Sequence, residues 1–432
     1  MATTLNAPTN KPVPRFFYGW FIVAFSTLAM VVSNGLAVGG LPIFFKPMTD
    51  ELLSLGAITE AKSFTGAIGG VTFLVGGLFA PVAGWLTTKI NLRVLMTAGC
   101  IFLGSGLLLY SRATTAGPIY LAHALFGLAL CLIGLLANTL LISHWFRSKR
   151  GLAMGLVLTG TSLGGALIPQ LALPFIKNPA YGWRTGILFV SALVWVVLLP
   201  AIWLVVRVHP GEAGLWPDGA AAPAEELRHA PLTGYTLGEA LRTPDFWAFT
   251  VVALGLFYAI ITVIQQVILY LQSPAIGMNI QQAGNVQTTL TLMSVAGKFF
   301  FGNLSDRLPK SLVLLLCASV MLLGTLVLLI LSGSTAYLFA IPFGIAFGGS
   351  VVSIQVLAVE RFGLKEAGKI IGAITLVETL GGAAGLFATG KLAQKYGYGP
   401  AFKGVIIATA IALAASFVLH KLVSRTRRQM AL

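Results

Sequence analysis

The stretch Thr291–Arg307 reads TLMSVAGKFFFGNLSDR. It has the look of the end of a membrane-spanning helix running into a short charged turn. Lys298 is the single charged residue between Asp245 and Asp306. An ammonium group inside an apolar run of this length is expensive in lipid. It is kept where it faces a cavity or a partner, the competing reading being that its long stem snorkels to the cytoplasmic interface. The rest of the chain decides whether this run is one of many.

The 432 residues are 57% hydrophobic and 9% charged, with a mean hydropathy of +0.89. Soluble domains carry about 25% charged residues, so the polar surface needed to cover a water-soluble globule is absent. The apolar runs are continuous for about 20 residues, as helices require, rather than alternating as barrel strands do. Twelve spans are expected, near 17–44, 60–87, 92–112, 117–142, 150–176, 184–206, 244–271, 281–304, 310–332, 335–358, 367–390 and 399–421. The reading is an all-α membrane protein of twelve transmembrane helices in two six-helix pseudo-repeats. Residues 1–206 form the first bundle and 244–432 the second. The Pro- and Ala-rich segment 207–243, which contains HPGEAGLWPDGAAAPAEELRH, is a cytoplasmic linker, with a short surface helix over 235–242.

The formal net charge of +15 does not point to nucleic acid, because Lys and Arg sit at the ends of apolar runs. With both termini inside, 19 of the 28 basic residues fall on the inner side and 8 on the outer, Lys298 being the remaining one. That bias supports an even number of spans and cytoplasmic N and C termini in the cell (inner) membrane. Arg147, Lys149 and Arg150, and Arg425, Arg427 and Arg428, carry much of it. The polar residues 1–16 lead straight into a long apolar run without a cleavage pattern, which reads as an uncleaved first span. Cys100, Cys131 and Cys317 lie within apolar runs and suggest neither a metal site nor a disulfide.

The halves echo each other. SLGGA at 162–166 matches TLGGA at 379–383, and Gly155 matches Gly372, both at an offset of 217. GWLTTKINLR at 84–93 matches GNLSDRLPKS at 302–311 at 218. Parallel repeats of this kind place a solute site between the halves. Glycines at small-xxx-small spacing in spans two, five and eleven let helix backbones approach closely.

These residues together resemble the major facilitator superfamily, whose loop signature G-x-L-x-D-R-x-G-R-R is matched by GNLSDR at 302–307. The first-half copy departs from it at Thr88 and Asn91. Within the superfamily, FYGWFIV (17–23), HWFRSKRGLAMGLVLTGTSLGG (144–165) and LRTPDFWAF (241–249) resemble the monocarboxylate transporter and oxalate–formate antiporter branch. The resemblance implies a span-eight carboxylate ligand at Lys298, where the branch has arginine. It also puts Ser294 where an aspartate is expected and Gly39 where animal carriers have a lysine. Lysine is a point charge and lacks arginine's bidentate fork. Asp306 and Arg307, with Arg150, are implied to gate the inner side. The superfamily's cavity-lining spans one, four, seven and ten carry Asn34, Asn138, Tyr258, Gln265, Gln266, Ser353 and Gln355. All of these except Gln266 are taken as solute ligands, since adjacent Gln265 and Gln266 cannot share a helix face.

Glu378 is the single acid between Glu366 and the C terminus. Counted along their helices, Lys298 and Glu378 lie roughly 12 and 13 Å from the inner end. Glu378 is expected to couple transport to protons. A static ion pair with Lys298 is the competing role. His123 is expected to be a packing histidine. No P-loop, metal-ligand cluster or nucleophile–base pair is present, so no enzyme, cofactor or metal is expected. The function expected is secondary active transport of a small organic anion, a monocarboxylate, with protons by alternating access, by a monomer in the bilayer. The alternatives are a carrier or exporter of a neutral or aromatic metabolite, an anion exchanger, or a membrane sensor.

Overall fold

The computed structural model describes residues 17–87, 89–146, 149–178, 180–219, 234–363 and 365–430. Among them, eleven helices are long and apolar enough to cross a membrane. A twelfth, Ile280–Arg307, has the length but is rich in Gln, Asn, Thr and Ser. The twelve spans are Gly19–Gly40, Ala61–Leu86, Leu92–Arg112, Ala116–Trp145, Arg150–Lys177, Gly182–Val205, Pro244–Leu271, Ile280–Arg307, Lys310–Ile330, Ala336–Phe362, Ala367–Tyr396 and Tyr398–Met430. Six precede residues 207–243 and six follow. The face carrying this segment is called the linker side here, and the opposite face the far side.

Four spans depart from regular α-helix: span 6 is π-helical over Leu193–Leu198, span 9 ends in a 3-10 turn over Val327–Ile330, and spans 1 and 4 carry departures that the sequence explains. Span 1 runs as a π-helix over Val31–Gly40 and then continues as Pro42–Ser54, ten residues beyond the expected end. Leu41 N–H donates to Leu36 O at 2.9 Å, five residues back. Pro42 has no N–H to give. The Ala37 carbonyl therefore loses both its α-helical donor, Leu41, and its π-helical donor, Pro42. Val38 O loses its α-helical donor too. Span 4 breaks at Gly134, whose ψ of −140° lies far from helical values. Asn138 mends the break, its Nδ2 donating to Ile133 O and Gly134 O at 2.8 Å each.

The two sets of six helices meet along spans 2 and 11, along spans 5 and 8, and where span 1 and its extension reach span 7. Small residues allow the first seam. A Cβ on Gly66 would stand 2.8 Å from the Gly390 Cα, and one on Gly77 would stand 2.4 Å from Thr379 Oγ1. At the far-side end, Lys62 reaches Ala393 O and its backbone N–H donates to Gln394. The second seam is a polar ladder. Lys177 donates to Gln281, Gln170 to Asn285 and Thr288, and Thr288 to Ala166 O. Toward the linker side the packing stops. Cβ atoms on Gly84, Gly155 and Gly372 would meet nothing within 4 Å. Gly155 and Gly372 are the pair matched by the internal repeat. The helices are thus zipped together from the far side to mid-depth and splayed beyond it.

The linker is fastened at both ends. Its first part lies on the first six helices: Trp145 Nε1 donates to Arg207 O, and Arg93 bonds Val206 O and pairs with Glu212. Its last part lies on the span 10–11 turn, with Tyr235 N–H donating to Phe362 O and Leu237 N–H to Glu366. The surface helix expected over 235–242 is one turn, Leu237–Ala240, held by a Thr236–Glu239 capping box.

Candidate functional site

Lys298 lies nine residues from the linker-side end of span 8, about 14 Å at 1.5 Å per residue. It is 7% exposed. Its Nζ crosses the seam and donates to Leu158 O at 2.7 Å and to Ser162 Oγ at 2.8 Å, both on span 5. Ser162 Oγ lies 2.6 Å from Ser294 Oγ, which donates back to Thr291 O at 2.7 Å. Every partner is neutral. Among the described residues no carboxylate lies within ion-pairing distance of this ammonium. The bridge marks the point where the span 5–8 seam ends and the splayed region begins.

Glu378 is another buried titratable residue, 4% exposed, with Oε1 lacking any hydrogen-bond partner. It lies one turn from Gly382 and two from Gly385. A Cβ on those glycines would press on Ile261 and Thr262 of span 7. Glu378 therefore lies on the face of span 11 turned to span 7, beside Thr379 at the foot of the span 2–11 seam. Lys298 and Glu378 do not pair. Each ends a different seam at mid-depth, so the static ion pair weighed from the sequence is not formed in this conformation.

The neutral candidates divide. Asn34 and Asn138 meet at the span 4 break, where Asn34 Oδ1 sits 2.5 Å from the place a Gly134 Cβ would take. Asn138 has spent its donors on the backbone, and its buried Oδ1 has no partner. Gln265 does not point freely into a cavity. Its Nε2 donates to Ala37 O at 2.6 Å and Val38 O at 2.7 Å, the carbonyls that Pro42 leaves without a donor. Adjacent Gln266 turns away and accepts from Tyr398 OH at 3.1 Å. Tyr258 faces spans 11 and 12, its hydroxyl 3.2 Å from the Cβ position of Gly404. Ser353 faces span 9, with Cys317 Sγ at 3.5 Å. Both are therefore turned into the second set of helices, away from the first. Gln355 is half-buried on span 10.

Asp306 and Arg307 are exposed at the linker-side end of span 8, with no ion pair between described residues. The Arg150 side chain lies outside the described residues. His123 is buried among Phe45, Tyr110 and Phe126, with Nδ1 2.8 Å from Thr72 Oγ1, as expected of a packing histidine.

Two features went unnoticed in the sequence. Ser162 was read only as part of a repeat, yet it is the residue on which Lys298 rests. Asp245, buried at the start of span 7, forms an ion pair with the half-buried Arg361 at the end of span 10, and Arg361 also lies over the Tyr235 ring.

Comparison with known proteins supports the fold and narrows the relatives. Monocarboxylate transporter 13 of Rattus norvegicus is 26% identical over 415 residues, covering 93% of this chain and 88% of that protein. The oxalate:formate antiporter of Oxalobacter formigenes is 22% identical over 426 residues, covering 96% and 95%. Among solved structures, a bacterial homologue of the human lysosomal transporter Spinster, inward-facing and occupied, superposes with a TM-score of 0.68 at 14% identity. That match covers 94% of this chain and 97% of the other. The family profile of the Major Facilitator Superfamily matches residues 19–386 and 263–431. With twelve spans and a profile match over nearly its whole length, the chain is a multi-pass membrane transporter belonging to the Major Facilitator Superfamily.

Proposed function

We propose that the protein is a proton-coupled carrier of small organic anions, of the monocarboxylate class, working by alternating access as a monomer in the cell inner membrane. The observation that carries this reading is Lys298. A buried ammonium held only by a carbonyl and a hydroxyl has given up hydration without gaining a counter-charge, and an uncompensated charge in a low-dielectric site is costly. A solute carboxylate supplies the missing charge. The carboxylate chemistry named for the rat and Oxalobacter relatives agrees with a cation at this place.

Glu378 is the proton carrier in this reading. It is buried and, among the described residues, free of a basic partner, so it is stable there when neutral and must lose its proton to water on one side. The linker side is the cytoplasm, on the positive-inside bias. The far side is zipped and the linker side splayed, which corresponds to the inward-facing state. Residues 1–206 and 244–432 rock as two bundles joined by 207–243. Asp306, Arg307 and Arg150 latch the cytoplasmic side in the opposite state. Asn34, Asn138 and Gln355 are left to contact the body of the solute, and Gln265 acts at the far-side seal.

The test is uptake of radiolabelled acetate, pyruvate and oxalate into proteoliposomes with and without an inward proton gradient. The expected result is gradient-stimulated accumulation of at least one acid, lost in Lys298→Gln and reduced rather than lost in Lys298→Arg. Uptake of none of them, or full uptake by Lys298→Gln, would overturn the reading.

A further inference from the structure

The hydrogen-bond chain at Lys298 has one direction at every link. A carbonyl only accepts, so Ser294 spends its one hydroxyl proton on Thr291 O. The Ser162–Ser294 contact at 2.6 Å must then be Ser162 donating to Ser294 Oγ. The ammonium only donates, so Lys298 donates to Ser162 Oγ and to Leu158 O. The chain therefore runs one way, from Lys298 through Ser162 and Ser294 to Thr291 O, crossing from span 8 to span 5 and back. Both hydroxyls have a donor and an acceptor, the ammonium uses two of its three N–H groups on neutral acceptors, and no acceptor in the chain is charged.

From this geometry we infer that Ser162 is a second ligand of the solute carboxylate, resting on the organic-anion reading above. The ammonium and the Ser162 hydroxyl are donors 2.8 Å apart, carried by opposite sets of helices. A carboxylate is an acceptor with two oxygens, and bonds to a charged acceptor are roughly twice as strong as neutral ones. On arrival one oxygen takes the ammonium and the other takes the Ser162 O–H, in place of Ser162 Oγ and Ser294 Oγ respectively. Lysine alone offers a single point of attachment. Lysine with Ser162 offers two, as an arginine fork does, but with one prong on each side of the seam. The carboxylate then carries the inter-helix bridge that the Lys298–Ser162 bond carries in this structure.

The experiment measures equilibrium binding of radiolabelled acetate, pyruvate and oxalate to the purified full-length carrier, beside thermal unfolding without ligand. Ser162→Ala is expected to weaken binding of the acids that the parent binds by about 10–100-fold, the worth of one hydrogen bond to a charged group. Ser162→Thr keeps the hydroxyl and is expected to stay within a few-fold of the parent. Ser162→Cys, similar in size but a weak donor, is expected to follow alanine and keeps the test available where alanine fails to fold. Unfolding midpoints equal to the parent's separate a ligand from a packing residue. Binding by Ser162→Ala or Ser162→Cys within twofold of the parent overturns the inference and leaves the anion reading standing. A parent that binds none of the three acids overturns both.

Discussion

Gln265 offers a quantitative test of how the far side is held shut. Its Nε2 satisfies Ala37 O and Val38 O, which Pro42 deprives of donors, and these two bonds join span 7 to span 1 across the two sets of helices. In Gln265→Leu the side chain keeps its bulk and loses both bonds. With the far side closed, two carbonyls are then left without partners. Each buried unsatisfied group costs about 1–3 kcal/mol. Ala37 is buried and Val38 only half-buried, so together they cost roughly 2–4 kcal/mol. With the far side open, water reaches the same carbonyls and the cost disappears. Gln265 Oε1 is itself buried without a partner, and its removal offsets one such cost, leaving a net of about 1–2 kcal/mol. The equilibrium should therefore move toward far-side opening by roughly 5- to 30-fold. Spin labels at Ala180 and Ala275, exposed far-side turns on opposite sets of helices, would report it as a longer inter-label distance in a cysteine-replaced background. Pro42→Ala supplies the control. It restores an N–H to the helix, so Gln265→Leu should shift the distances less in that background. Distances unchanged by Gln265→Leu, or an effect equally large with and without Pro42, would refute the account of these carbonyls.

Other expectations follow from the same geometry. Glu378→Gln, fixed in a neutral form, should abolish gradient-driven uptake in proteoliposomes while sparing solute counterflow; intact gradient-driven uptake would remove Glu378 from proton coupling. Gly66→Leu drives a side chain into the Gly390 backbone and should hold the far side apart, read as a population of long Ala180–Ala275 distances without added solute. Asp245→Asn should lower the unfolding midpoint, because it leaves the half-buried Arg361 without its counter-charge, a loss of about 3–5 kcal/mol where a pair is fully buried and less here. On the far-side extension, hydrogen bonding from Arg184 holds the Glu51 carboxyl below its ordinary value of 4.5. A depressed folded pKa stabilises above the unfolded value and is lost as pH falls through the folded one. The stability advantage of the parent over Glu51→Gln should thus be full near neutrality and shrink as the medium is acidified below about 4.5.

Much of this architecture was legible because lipid leaves few choices. Long apolar runs can only be helices, and a lone Lys298 or Glu378 in such a run must be buried against something. Both are. What Lys298 rests on was not legible, because it depends on which residue of span 5 stands level with it across the seam. Ser162 has no unusual neighbours in sequence to announce that. Tyr258 and Ser353 show the same limit in reverse: a span that lines a cavity turns most of its faces elsewhere, and a polar residue with no charge gives no hint of which face it occupies. Asn138 and Gln265 were legible in principle. Asn138 follows Gly134 by four residues and Pro42 follows Ala37 by five, the spacings at which a helix leaves carbonyls in need of a donor.

The polar character of span 8 bears on how the protein is made. Ile280–Arg307 places Gln281, Gln282, Asn285, Gln287 and Lys298 in a helix that must leave the insertion machinery for lipid. A central lysine alone disfavours that step by about 3 kcal/mol. The helix becomes acceptable once Gln170, Ala166, Leu158 and Ser162 of span 5 receive its polar groups. Span 8 is then the segment whose entry relies most on a partner synthesised more than a hundred residues earlier. Changes at Gln170, outside the proposed solute contacts, should show themselves as protein that never reaches the membrane in full, and a transport assay not corrected for abundance would mistake a biosynthetic defect for a functional one.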